Sequence, residues 1–158
     1  SSNEAANGLL SRIGNGDGKA AIATVTATAQ RYGFTSSEEL RTLTGMASGN
    51  AVENWTSTRD CGSFLSQVYA GTLVSKNASE RMMQLLLGQT RRTKIPAGVP
   101  SGVKVANKTG ELAAVQNDVA IVFGTHPYVL AVMSSDISSA VAPSQITELS
   151  RAVWDAAQ

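Results

Sequence analysis

The apolar residues of this chain change their period at Ile95-Pro96-Ala97-Gly98-Val99-Pro100, and that change limits the fold more than any other feature. Before it, apolar side chains recur at three- and four-residue spacing, as on one face of a helix. After it come short β-branched runs. Val103-Lys104-Val105-Ala106 reads as a strand, and Val115 to Phe123 as a second, with Val119-Ala120-Ile121-Val122 at its centre. Gly124-Thr125-His126-Pro127 turns the chain, and Tyr128 to Met133 returns. This predicts a meander of three antiparallel strands. A helix then follows Pro143, which suits a first helical turn, with Ile146, Leu149, Val153 and Trp154 as its apolar stripe.

The segments before the change read as helices. Ser2 to Ile13 places Leu9, Leu10 and Ile13 on one face and stops at Gly14. Lys19 to Tyr32 turns Ile22, Val25 and Ala29 inward, with Gly33 beyond its end. A polar stretch, about Thr35 to Thr56, has little periodicity, and loops of that length are often functional. Ser57-Thr58-Arg59-Asp60 reads as a helix start in which Ser57 caps and Asp60 reaches back. Cys61, Phe64, Leu65, Val68 and Tyr69 form the stripe that follows. Ser75 opens another helix, with Ala78, Met82, Leu85 and Leu86 on one face and Gly88 at its end.

At 158 residues the chain has room for one core. The reading is a single partial domain, mainly helical over 1–94, with the sheet and last helix over 95–158. A net charge of +1 with no basic run among aromatics argues against nucleic acid. No apolar stretch approaches the ~20 residues of a membrane span. The single cysteine, Cys61, rules out a disulfide within the chain. It reads as a core residue. A catalytic role would need a histidine partner, and the only one, His126, lies in the hairpin turn.

Asn107-Lys108-Thr109-Gly110-Glu111 carries the chemistry, at the end of the first strand. Alone, Lys-Thr-Gly is a common tripeptide that fits any solvated strand end. Here the next strand carries Asn117-Asp118, and a hairpin strand and an amphipathic helix follow. Thr58-Arg59-Asp60 and Lys94-Ile95-Pro96-Ala97-Gly98 precede it. This order resembles the penicillin-recognising serine hydrolases, whose motif set is Ser-x-x-Lys, Ser-Asp-Asn and Lys-Thr-Gly, and most closely the class A β-lactamases. Ser1-Ser2-Asn3-Glu4-Ala5-Ala6-Asn7 matches their second motif at Ser1 and Asn3, with Ser2 in place of Asp; an ordinary helix cap reads the same way.

The resemblance implies an α/β (α+β) fold of the β-lactamase/transpeptidase type, with helices packed on an antiparallel sheet. It implies acyl transfer from an amide to a serine, without metal or cofactor. The substrate would be a β-lactam or a D-Ala-D-Ala-type peptide. Lys108 and Thr109 would bind its carboxylate, and Gly110 would let it approach. The Glu111 N–H would be one oxyanion donor. Ser1 would relay a proton, making Ser1 and Lys108 the catalytic pair, and Asn3 would hold the acylamide. An extracytoplasmic location follows from the resemblance alone, since such substrates lie in the bacterial wall.

Two family features have no match. The only Ser-x-x-Lys, Ser101-Gly102-Val103-Lys104, runs from a proline into a strand, where residues three apart face opposite ways. The nucleophile is therefore expected upstream of Ser1 or in another chain. The loop carboxylates Glu38, Glu39 and Glu53 lack the spacing of the family's deacylation base and read as solvated. A penicillin-binding protein, or a non-catalytic module recognising carboxylated peptidoglycan peptides, stays open beside the hydrolase. The third strand's outer edge is expected to pair with the missing segment, in cis or in trans, or with a second copy.

Overall fold

A computed structural model describes residues 2–43 and 53–158. The chain forms two compact units, Ser1–Asp60 and Cys61–Gln158.

In the first unit, α1 (Asn3–Ile13) and α2 (Gly18–Arg31) pack together. Ser2 caps α1 through its side chain, which accepts from the Ala5 N–H, and Asp17 caps α2 by accepting from Lys19 and Ala20. Leu10 is buried, but Leu9 and Ile13 are exposed, so α1 presents a narrower apolar face than its sequence suggests. On α2 the fully buried residue is Ala21, with Ile22, Val25 and Ala29 half-buried around it. Beyond α2, Glu38 and Trp55 pair as an isolated antiparallel bridge.

Helix α3 (Thr58–Ala70) is capped by Ser57, whose hydroxyl accepts from the Asp60 N–H at 3.1 Å. The expected reach-back by Asp60 is absent. Its carboxylate instead accepts from the Ser36 N–H and the Ser37 hydroxyl, both at 2.8 Å. Two donors satisfy this buried carboxylate better than the single backbone N–H of a capping box.

In the second unit, Leu65 and Val68 of α3 are buried and Tyr69 is exposed. Ser75 caps α4 (Lys76–Leu87), which lies against β1. On α4 the buried residue is Ser79, whose hydroxyl donates to the Leu73 carbonyl, while Leu85 is exposed. A 3₁₀ turn, Ile95–Gly98, leads into β1 (Lys104–Leu112), β2 (Val115–Phe123) and β3 (Tyr128–Val132). All three strands are antiparallel, in the order β1-β2-β3. Helix α5 (Ala142–Ala157) has Pro143 in its first turn and packs on the 3₁₀ turn, β2 and β3.

The core of this unit is Ile95, Val105, Ala120, Val122 and Ile146. Val105 and Val122 stand directly opposite in the β1–β2 register and so share one face. Burying each such aliphatic side chain is worth about 1.5–3 kcal/mol. The α5 stripe is rotated from expectation. Ile146 and Ser150 face inward, Val153 and Trp154 are half-buried, and Leu149 is exposed. Ser150 is drawn in because its hydroxyl donates to the Ile95 carbonyl at 2.9 Å. Gly98 makes this close docking possible. A Cβ there would stand 2.4 Å from the Thr147 carbonyl oxygen and 2.5 Å from the Ser150 Cβ.

Candidate active site

Strand β1 runs further than its sequence suggests, so Lys108-Thr109-Gly110 lies inside the strand rather than at its end. The strand continues through Glu111 and Leu112 and returns into β2. Among the described residues β1 pairs only with β2, so its other edge has no strand partner and alternate N–H and C=O groups face outward there, with Arg92 donating to the Val105 carbonyl at 3.3 Å. Asn107, Lys108, Thr109, Gly110 and Glu111 stand opposite Ala120, Val119, Asp118, Asn117 and Gln116. Strand alternation puts Asn107, Thr109 and Glu111 on the face that carries Val105, and Lys108 and Gly110 on the other.

A polar cluster underlies this end of the sheet. Asp118 is fully buried. Its carboxylate accepts from the Ile95 N–H and from the Asn107 amide, each at 3.0 Å. The Asn107 amide also donates to the Arg91 carbonyl at 3.2 Å. Lys94 is buried too, with 1% of its side chain exposed. Its ammonium donates to Glu111 Oε1 at 3.0 Å and to the Asn117 carbonyl at 3.2 Å. Arg91 meets the other oxygen of Glu111, Oε2, at 3.2 Å from the outside.

The charges respond to these surroundings. Burial raises the Asp118 carboxyl above the usual range, against the opposing pull of the Asn107 and Ile95 donors and of Lys94. The Glu111 carboxyl is lowered, chiefly by its hydrogen bond from Lys94, with Arg91 and Lys108 adding to it. Partial burial lowers the Lys108 ammonium, while Asp118 and Glu111 pull it back up. The Lys108 Nζ donates to the carbonyl of Thr109. Gly110 has no positive φ, and a Cβ there would meet its nearest neighbour, Asn117, at an ordinary 3.7 Å. Nothing inside the unit demands glycine at this position.

The other expected residues fall as follows. Ser1 lies outside the described residues. Asn3 is the exposed first residue of α1, in the first unit. Lys108, Thr109, Gly110 and Glu111 lie together in the second. Ser101 and Gly102 form a turn, with Gly102 at φ +90°, and Lys104 already begins β1, unlike a helix-borne nucleophile and its lysine. Of the loop carboxylates, Glu53 pairs with Arg41 at 2.6 Å, and Glu38 is exposed. Glu39 is half-buried rather than solvated, and burial raises its carboxyl against Arg41 and Asn54. The cause is a two-way clasp with Thr26, whose hydroxyl accepts from the Glu39 N–H and donates to its carbonyl.

Lys94, Asn107 and Asp118 were not assigned a role from sequence. A usable signal was present: a lysine immediately before the apolar Ile95-Pro96, and an Asp that the hairpin register sets opposite Thr109.

The model of the β-lactamase enzyme family matches residues 1–157, and the chain belongs to that family. Its fold is similar to a β-lactamase from Sphaerobacter thermophilus DSM 20745, at 24% identity and a TM-score of 0.87, covering 98% of this chain and 58% of that one. It is also similar to PBP-A, at 25% identity and a TM-score of 0.76, over 85% of this chain and 51% of that one. The TLA-1 extended-spectrum β-lactamase aligns at 24% identity and a TM-score of 0.78, over 85% and 54%. The chain thus spans between half and three-fifths of the length of these relatives. No curated protein matches it. Among the described residues no helix is long and apolar enough to cross a membrane.

Proposed function

We propose that this chain supplies the carboxylate-binding side of a serine acyl-transfer site acting on β-lactams or D-Ala-D-Ala-type peptides. The observation that carries the reading is Lys108-Thr109-Gly110 on the open edge of β1. A ligand laid along that edge would meet outward backbone groups, the Lys108 charge and the Thr109 hydroxyl. Glycine at 110, which nothing in the unit requires, suits a ligand that passes close to the backbone. The Glu111 N–H is the candidate oxyanion donor. Ser1 is the proton relay and Asn3 the acylamide contact. The nucleophile lies outside these residues, and the site is extracytoplasmic. A PBP-A variant has been solved as its acyl-enzyme with penicillin G, which makes that compound the natural probe.

Intact-mass spectrometry after incubation with benzylpenicillin tests the reading. The native gene product gains one adduct, and this chain by itself gains none. An adduct on this chain would overturn the assignment of the nucleophile. The Lys108 charge on β1, which can hold a carboxylate without acylation, supports one second reading: a non-catalytic module that binds carboxylated peptides through Lys108. It predicts reversible binding lost in Lys108→Ala and no adduct on the native gene product. The outer edge of β3, unpaired among the described residues, would take a preceding segment or a second copy.

A further inference from the structure

We infer that Lys94 is a positioning residue for the Gly110–Glu111 end of β1, acting through the Glu111 carboxylate; this rests on the acyl-transfer reading above. Lys94 lies in the segment before β1 and outside the Ser-x-x-Lys, Ser-Asp-Asn and Lys-Thr-Gly motifs. Its side chain is 1% exposed, and burying an ammonium is costly unless it is fully paired. An apolar side chain of similar length would fill the same space more cheaply. The lysine meets one oxygen of Glu111 on β1 and the carbonyl of Asn117 on β2. Asn117 is the register partner of Gly110. One ammonium therefore ties the two strands together at the rung where β1 has no side chain to brace it.

The clamp also governs charge. Glu111 would present a carboxylate beside a site built for an anionic ligand. Lys94 holds it from beneath and Arg91 from outside. Without Lys94 the carboxylate keeps the exposed Arg91 as its ion-pair partner and the more distant pull of Lys108, and it is free to swing toward the ligand and the developing oxyanion. Asp118 also feels the Lys94 charge, and its donors on Ile95 and Asn107 are separate from Lys94.

The test is made on the native gene product with Lys94→Met, Glu111→Gln and the double variant. Benzylpenicillin adduct formation is timed by mass, with thermal melting in parallel and the Glu111 carboxyl titrated by NMR. Lys94→Met should slow acylation at least tenfold, since a misplacement of about 1 Å at a reacting centre can cost about 100-fold. The double variant should regain most of that rate, because the unclamped charge is gone. The Glu111 carboxyl should titrate higher in Lys94→Met than in the native protein. An acylation rate within about twofold of native, or a double variant as slow as Lys94→Met, would reduce Lys94 to packing and overturn the inference; an unchanged Glu111 titration would overturn it whatever the rate. If the native protein takes no adduct while the titration still shifts, it is the acyl-transfer reading that fails, and the catalytic role of the clamp goes with it.

Discussion

Removing the Asp118 carboxylate should cost this protein a large part of its stability. The side chain is fully buried and accepts hydrogen bonds from the Ile95 N–H and the Asn107 amide. Asp118→Ala leaves the Ile95 N–H without its partner, and one of the two N–H groups of the Asn107 amide, whose other contact is the Arg91 carbonyl, in a place that is fully buried. Each orphaned donor costs about 1–3 kcal/mol, so the pair costs about 2–6 kcal/mol. A domain's whole stability is about 5–15 kcal/mol. Asp118→Asn separates the two contributions. One amide oxygen still accepts from Ile95, while the amide nitrogen now faces the Asn107 donor, so about half the loss should remain. Urea unfolding followed by circular dichroism gives both values, with an unchanged slope showing that only the native state is affected. The loss should also be felt at Lys108, whose ammonium Asp118 helps keep charged; its titration should move lower in both variants. Losses below ~0.5 kcal/mol in both variants, the range of ordinary surface substitutions, would mean that the two donors find other partners and that the cluster is not closed.

Three further outcomes follow from the same packing. Gly98→Ala should lower the melting temperature, since its Cβ would collide with the Thr147 carbonyl and Ser150; overpacking of this kind costs about 1–3 kcal/mol. Ser150→Ala removes the donor to the buried Ile95 carbonyl and should cost about 1–3 kcal/mol in urea unfolding. Acid titration of stability should show two opposite slopes. Asp118, raised in the folded state, binds its proton more tightly there, so its contribution is present in acid and lost as pH rises from about 3.9 through the raised value. Glu111, lowered in the folded state, contributes above about 4.3, and that is lost as pH falls through its lowered value. Asp118→Asn should abolish the first slope and Glu111→Gln the second; a variant that leaves its slope in place would refute the assignment.

The meander was legible because its turn residues and β-branched runs agree with one another, and α5 because a proline marks its start. The rotation of α5 was not. Apolar spacing alone put Leu149 on the stripe, whereas the hydrogen bond from Ser150 to Ile95 sets the helix's face. Similarly, local pattern gave Asp60 to the helix cap, while its carboxylate serves Ser36 and Ser37, more than twenty residues away in sequence. For the candidate site, the motif located Lys108, Thr109, Gly110 and Glu111 as neighbours on one strand. It could not reveal what lies beneath them. Lys94 and Asp118 become partners of that strand only through the register and the docking of the 3₁₀ turn, and neither belongs to any local spacing rule.

The contact between Ser150 and the Ile95 carbonyl also bears on the order in which this unit assembles. Those residues are 55 apart in sequence, and all three strands lie between them. The meander is built from neighbouring hairpins and needs no distant partner, so it can form while the clasp is open. Once formed, it shortens the effective loop that remains to be closed, and closure costs grow only slowly with length. If the strands form first, the last helix is a latch that seals the turn against the sheet, and φ-values near zero for Ser150→Ala would show it. Its early loss on unfolding would free the backbone of Ile95, and with it a donor to Asp118, before any strand pairing is broken.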